Sequence, residues 1–412
     1  MKGDPHNHKQ RIKNCEKNLK EADITEENKE ILLEFLNYLK GQGLSQSRIT
    51  SYINRWRYML ENLDIDFNIL EADKEDLREL VGIINQNQVK DHDLAESTLR
   101  EYKKCVNKMY KDFLQETRDI PGEEMTDFFT LTISSKKTDP ERLPTPKTVK
   151  ELIKNCQRLR DRAFIATLWS SGGRVSEILG LQWKNLNFKE DVVRVTFEET
   201  KTGGKRVVPL RAGITYLRSL KEQDQYGSDM EAFVFRKVDE TGQLPYSSAR
   251  ALIKNAARRS NIPDRKKVNP HAFRKGRATY LAAKGMNQAT ICEYFGWAQG
   301  SKEAAKYIRM AESDVENSVK EIAGLEDSKT SYEEDLNPVK CYECGTLNSF
   351  EADTCKECGS ELTTSKFYEE QQISEIEDQI TTELALGQLD YDEEDIQEKA
   401  KELYKEKFND YN

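Results

Sequence analysis

The sequence predicts a mainly α chain with one small antiparallel sheet, an α+β class in which helices dominate. Three observations carry that expectation. Apolar residues recur at helical spacing in four segments between residues 28 and 116, β-branched runs flank a Gly-Gly pair in "DVVRVTFEETKTGGKRVVPL", and helical periodicity resumes after that hairpin through residue 325. With 412 residues the chain has room for two or three domains, and 37% hydrophobic content is adequate for their cores.

Residues 1–25, opening "MKGDPHNHKQRIKNCEKN", are polar throughout and read as a flexible N-terminus without a signal-peptide apolar segment. No apolar run approaches the roughly 20 residues that span a bilayer, so the expectation is a cytoplasmic protein without membrane contact. Residues 26–120 read as a helical domain. "NKEILLEFLNYLKGQ" puts Ile31, Leu32, Phe35, Leu36 and Leu39 on one face, and Gly41 and Gly43 end the pattern. "LSQSRITSYINRWRYMLENL", "DKEDLRELVGIINQNQ" and "AESTLREYKKCVNKMYKDFLQE" supply three more helices. The second and fourth carry Arg48, Arg55, Arg57, Arg100, Lys103, Lys104, Lys108 and Lys111 beside Trp56 and Tyr102, either a solvated face or a polyanion surface.

Residues 121–144, ending in "TDPERLP", are rich in Pro, Thr and charge and read as a linker. Beyond this linker the charge changes sign. The net charge of −9 averages opposite signs, because residues 145–325 carry 33 Lys and Arg against 20 Asp and Glu, while residues 326–412 carry 8 against 25. A basic block between acidic flanks is the footprint of a polyanion-binding domain.

Within that block, Arg174 in "SSGGRVSEILGL" stands at a glycine-led helix start, where backbone and guanidinium would both face a phosphate. "NPHAFRKGRATYLAAKGM" puts His271 and Arg274 three residues apart on one helix face, a proton carrier beside a second guanidinium. Lys201 sits at the hairpin tip, with Lys205 near it as an alternative cation. "EYFGWAQGSKEAAKYIRM" contributes Tyr307. Its phenol, with an ordinary pKa near 10, would need no strong base against a phosphodiester neutralised by two arginines. Tyr294 is the competing nucleophile, although its apolar surroundings read as core.

The order and wording of "GGRVSEILGL", "TKTGGKRVVPL", "HAFRKGRATYLA", "YFGWAQGS" and "KYIRM" resemble the tyrosine recombinase (phage integrase) family over residues 28 to about 325. The resemblance implies a SAM-like core-binding domain at 26–120 and a catalytic domain at 145–325. It implies catalytic roles for Arg174, Lys201, His271, Arg274, Trp297 and Tyr307, with Glu177 bracing the site. Trp297 stands where the family usually has His, and the long interval from Trp297 to Tyr307 resembles archaeal members. The implied reaction is DNA strand breakage and rejoining through a 3′-phosphotyrosyl bond and a free 5′-hydroxyl, without catalytic metal or ATP. The implied partners are double-stranded DNA at paired sites and other copies of the chain in a synaptic tetramer. The leading expectation is a site-specific recombinase that integrates or excises a mobile or viral element. The alternatives are an Xer-like chromosome-dimer resolvase, a type IB topoisomerase and a non-catalytic DNA-binding regulator.

Residues 338–364 contain "CYECGTLNSFEADTCKECG", two CxxCG knuckles whose Cys341, Cys344, Cys355 and Cys358 suit a tetrahedral structural zinc in a ribbon-like module. The other four cysteines stand far apart, which fits a reducing compartment better than a disulfide framework. Residues 365–412 read as an acidic helical tail, and the ribbon or the tail would contact an accessory protein.

Overall fold

The computed structural model describes residues 4–5, 7–63, 65–132, 140–198, 204–237, 242–262, 268–311 and 336–362, with isolated positions between 376 and 403. The chain divides into two compact units, Met1–Thr138 and Asp139–Asn412.

The first unit is helical. Its elements are α1 (His8–Lys20), α2 (Glu26–Gly41), α3 (Gln46–Asn62), α4 (Lys74–Asn85) and α5 (Glu96–Asn107), the last running on through a π-helical stretch (Lys108–Leu114) into α6 (Gln115–Arg118), followed by α7 (Gly122–Thr126). Thr25 caps α2 by accepting from the Asn28 amide, and Asp73 and Asp76 cap α4 reciprocally. Phe35, Trp56, Tyr110 and Phe113 fill the core.

Three features differ from the sequence expectation. The stretch expected to be loose is α1, which buries Cys15 and Leu19, an i, i+4 pair too sparse to read among its lysines. The expected linker begins with α7, whose Met125 enters the same core; a Cβ on Gly122 would lie 2.2 Å from the Tyr110 carbonyl oxygen, so this close approach requires glycine. Trp56 and Tyr102 are core residues and not part of an exposed basic stripe. The Trp56 indole donates to the Cys105 carbonyl at 3.3 Å.

The second unit begins with α8 (Pro146–Lys154) and α9 (Leu159–Ser171), the latter buried on every side from Ala163 to Ser171. After α10 (Val175–Leu179) comes a three-stranded antiparallel sheet, β1 (Leu186–Phe188), β2 (Val193–Phe197) and β3 (Arg206–Leu210), in that order. The expected hairpin is β2–β3, closed by the pair Phe197↔Arg206. Its tip, residues 199–203, and with it Lys201, lies outside the described residues. Then come α11 (Ile214–Gln223), α12 (Tyr246–Arg259), α13 (Pro270–Ala283), α14 (Gln288–Phe295) and α15 (Lys302–Ala311). The Asn269 side chain caps α13 by accepting from the Ala272 amide at 3.0 Å. A two-stranded ribbon, β4 (Val339–Lys340) with β5 (Leu347–Asn348), carries the cysteine knuckles. Most of the acidic tail expected at 365–412 lies outside the described residues. Among the described residues no helix is long and apolar enough to cross a membrane.

Candidate active site and metal centre

The end of α9 sets the position of the first arginine. Gly172 adopts φ +54°, and a Cβ there would lie 2.3 Å from the Phe295 ring, so glycine alone lets the chain turn against that ring and deliver Arg174. Arg174 precedes the five-residue α10, and its backbone amide donates to Glu177 Oε2 at 2.8 Å. The sequence expectation turns that amide towards a phosphate; the Glu177 carboxylate takes it instead. The Arg174 guanidinium donates to Glu177 Oε1 at 2.7 Å.

Arg206, the first residue of β3, donates to Glu177 Oε2 at 2.8 Å and to the Phe295 carbonyl at 3.3 Å, and its guanidinium carbon lies 4.4 Å from the centre of the Phe197 ring. Arg274 on α13 donates to the Gly172 carbonyl at 2.8 Å and to the same Phe295 carbonyl at 2.6 Å. That carbonyl belongs to the last turn of α14, where backbone carbonyls carry partial negative charge that favours cations. Three guanidiniums therefore gather around one carboxylate. Glu177 is held below the usual carboxylate range: burial opposes the shift, and Arg206 and Arg174 overcome it. Burial and the neighbouring Arg174 and Arg206 pull the Arg274 pKa down to about 9, so it stays charged at neutral pH while the pocket holds more positive charge than its own acid balances.

Tyr307 on α15 comes to the same place. Its ring stacks on Trp297 with centroids 5.6 Å apart and planes 11° apart, and Trp297 stacks on Phe295 at 4.9 Å. The Arg274 guanidinium lies 5.1 Å from the Phe295 ring centre and 5.2 Å from that of Trp297. Trp297 thus packs between two aromatic rings. The expectation of an ordinary phenol does not hold: Tyr307 is 3% exposed, and burial, aided by Glu303 and opposed by Arg274, pushes its pKa up to about 12. Tyr294 donates its hydroxyl to the Ser170 carbonyl and is committed to the end of α9.

His271 lies one turn before Arg274 on α13, with its side chain exposed. The packing around its ring, together with Lys275, Arg274 and Arg174, holds its pKa below that of a free histidine, against the pull of Glu303. The imidazole is therefore neutral at pH 7 and able to accept a proton. Lys205, the alternative cation of the hairpin, is exposed.

The structure thus brings Arg174, Glu177, Arg274, Trp297 and Tyr307 together, with His271 on the same helix as Arg274. Sequence reasoning missed Arg206. The available signal was strand register: Arg206, Val208 and Leu210 share the buried face of β3, where a charged residue needs a partner. It also missed Lys275, one turn beyond His271, whose pKa is lowered by burial and by Lys306.

The second cluster is separate. The Sγ atoms of Cys341, Cys344, Cys355 and Cys358 all lie within 4.8 Å of one another, with Cys341–Cys358 at 3.6 Å and Cys344–Cys355 at 3.5 Å. Four sulfurs about 2.3 Å from a central zinc would stand about 3.8 Å apart, so the set fits a tetrahedral site. Gly345 and Gly359 adopt φ +73° and +76°, and their amides close each knuckle onto the carbonyls of Cys341 and Cys355 at 2.8 and 2.9 Å. The buried Asn348 joins the two knuckles, donating to the Thr346 carbonyl at 2.9 Å and to Cys355 Sγ at 3.5 Å while accepting from the Lys356 amide at 3.0 Å.

Residues 143–314 match the Phage integrase family. Tyrosine recombinase XerA of Pyrococcus horikoshii is 26% identical over 186 residues, which cover 42% of this chain and 61% of that protein, so the match spans about three fifths of that relative. A probable integrase/recombinase protein of Methanocaldococcus jannaschii is 25% identical over 291 residues, covering 66% of this chain and 84% of that protein. Among solved structures, XerH site-specific recombinase bound to palindromic difH substrate in a post-cleavage complex is similar in fold, with TM-score 0.52 and 16% identity over 78% of this chain and 97% of that one. A lambda integrase dimer bound to a COC′ core site gives TM-score 0.52 and 13% identity over 68% of this chain and 76% of that one.

Proposed function

Residues 143–314 form a domain of the phage integrase family, and from that premise we propose that the chain is a site-specific DNA recombinase that cuts and rejoins strands through a phosphotyrosine at Tyr307. The observation that carries the reading is the pocket of Arg174, Arg206 and Arg274 around the Glu177 carboxylate, beside a stacked tyrosine. A phosphodiester balances that excess positive charge, and fixed cations stabilise the further charge that develops on the phosphorane.

In this mechanism the Tyr307 oxygen attacks phosphorus, a bond from that oxygen to phosphorus forms, and the bond to the 5′ oxygen breaks. The phenol proton passes to the neutral His271 imidazole. Lys201 gives its proton to the leaving 5′ oxygen. Arg174 and Arg274 hold the phosphate oxygens; each terminal nitrogen of Arg274 keeps a second hydrogen beyond the one bonded to a backbone carbonyl. Attack by the 5′-hydroxyl of a partner strand reverses the chemistry and frees Tyr307, so the ester energy is retained and ligation needs no nucleotide. Because Tyr307 is 3% exposed, productive attack goes with an outward shift of its ring when DNA binds. Cys341, Cys344, Cys355 and Cys358 would hold a zinc ion in a structural role. The role in the cell is integration or excision of a mobile element by a synaptic tetramer on paired sites.

A nicked suicide DNA carrying the paired site tests the reading. The unaltered chain becomes covalently attached, Tyr307→Phe binds without attaching, and Tyr294→Phe attaches like the unaltered chain. Capture that survives in Tyr307→Phe overturns the nucleophile. Relaxation of a supercoiled plasmid without paired sites, with no recombinants from paired ones, replaces the recombinase by a topoisomerase.

A further inference from the structure

The cysteine module does not stand apart from the domain that carries the arginines. Leu336, before the first knuckle, and Leu347 on β5 belong to the same buried core as α8, α9 and α11, and Phe350 packs against it. The Phe350 ring meets Tyr216 of α11 edge-on at 6.4 Å, and the Lys150 ammonium of α8 lies 5.7 Å from its centre. Glu351 Oε1 accepts from Arg162 of α9 at 2.8 Å, with the Glu351 side chain 14% exposed. The buried Tyr216 phenol is pushed well above its usual pKa by burial and by that Glu351 carboxylate.

One short strand makes both sets of contacts. Successive residues of β5 point to opposite faces, so Asn348 joins the two knuckles while Leu347 enters the core of the larger domain. Among the described residues the module's own core is Cys341, Cys355 and Leu362, with Val339 and Ala352 against it. A core that small does not order a chain segment alone; small metal modules of this size fold by binding their ion.

We infer that metal binding at Cys341, Cys344, Cys355 and Cys358 buttresses the recombinase domain by holding Leu347, Phe350 and Glu351 against α9 and α11. This rests on the zinc assignment above and extends it from a local to a domain-wide role. Arg162 lies in the first turn of α9, and the far end of that helix runs into Gly172, whose carbonyl accepts from Arg274. Metal occupancy is thereby linked to the stability of the helix that leads into the arginine pocket.

The test uses the full chain, purified with Zn²⁺, with metal content measured before and after a chelator, and peptide-resolved hydrogen exchange of residues 159–171 and 214–223. Removing the ion is expected to speed exchange in both segments about tenfold or more, with the α3 peptide as internal reference. The double variant Phe350→Ala, Glu351→Gln keeps all four cysteines. It is expected to bind one Zn²⁺, to exchange in α9 as fast as the metal-free parent, and to respond no further to chelation. A chain that binds Zn²⁺ tightly but whose α9 and α11 exchange is unchanged on its removal overturns the coupling and leaves the metal site standing. A chain that takes up no Zn²⁺ overturns both. Covalent capture of DNA by Tyr307 is scored separately, so neither outcome is confused with failure of the recombinase reading.

Discussion

Arg206 at the start of β3 and Glu177 in α10 are joined by a 2.8 Å ion pair whose side chains are 6% and 7% exposed. The sheet thereby reaches into the arginine pocket: the same guanidinium that fixes Glu177 also donates to the Phe295 carbonyl that Arg274 shares. Glu177 in turn fixes Arg174, so in the proposed reaction Arg206 acts on the phosphate through two intermediaries.

Arg206→Met is expected to lower stability by up to about 3 kcal/mol, less than for an orphaned buried charge because Arg174 still pairs with Glu177. Freed of its strongest cationic partner, the Glu177 carboxyl rises towards the ordinary range, so its contribution is lost at higher pH as the solution is acidified. The acid limb of the variant's cleavage profile should therefore begin at higher pH than the Glu177 step of the parent, in addition to the loss that His271 protonation causes in both. Arg206→Lys, which keeps a cation without the fork, should shrink that shift. A pH profile in Arg206→Met with the parent's shape, merely scaled, reduces Arg206 to a packing residue.

His271 supplies a direct readout of the pocket's charge. Its pKa lies below the ordinary histidine value in the free protein, and the cations Lys275, Arg274 and Arg174 contribute to that shift. Bound phosphate screens those cations and is expected to move the imidazole titration upwards. Only four histidines are present, so NMR titration of the ring protons with and without a DNA duplex resolves it, with His271→Gln giving the assignment. No movement of the His271 midpoint on DNA binding removes this residue from the phosphate site.

The buried phenol has a stability signature. Tyr307 releases its proton near 10 when unfolded and near 12 when folded. Between these values the folded state holds more protons than the unfolded state, so stability falls as pH rises through that window. The parent should therefore lose urea resistance more steeply than Tyr307→Phe between about pH 9.5 and 11.5. Parallel slopes in the two proteins mean that the hydroxyl is solvated.

Gly172→Ala introduces a methyl group at φ +54° within 2.3 Å of the Phe295 ring. Left-handed strain and displacement of an aromatic ring that also stacks on Trp297 should together lower stability by about 2–4 kcal/mol and weaken covalent capture. Thermal melting and the suicide-substrate assay on one preparation check both. A variant that melts like the parent shows that the turn has room that the packing denies.

Local pattern determined much of this protein. Helical spacing located α2 to α5, a Gly-Gly turn between β-branched runs located the β2–β3 hairpin, and two CxxCG knuckles located the sulfur cluster, because each of these is a short-range arrangement written into neighbouring residues. Arg174, Glu177, Arg274, Trp297 and Tyr307 were legible as recombinase-like wording, and the fold brings them together. Tertiary structure alone decided what surrounds each charge. Arg206 became a brace because the hairpin register turns it inwards towards Glu177 of α10, 29 residues away in the chain. The phenol of Tyr307 became a weaker acid than a free tyrosine because Trp297 and the apolar faces of α13 and α14 close over it. A strand of the cysteine module became part of the larger core through contacts with segments more than a hundred residues away. Burial and through-space charge depend on which distant segments meet, and no local spacing encodes that.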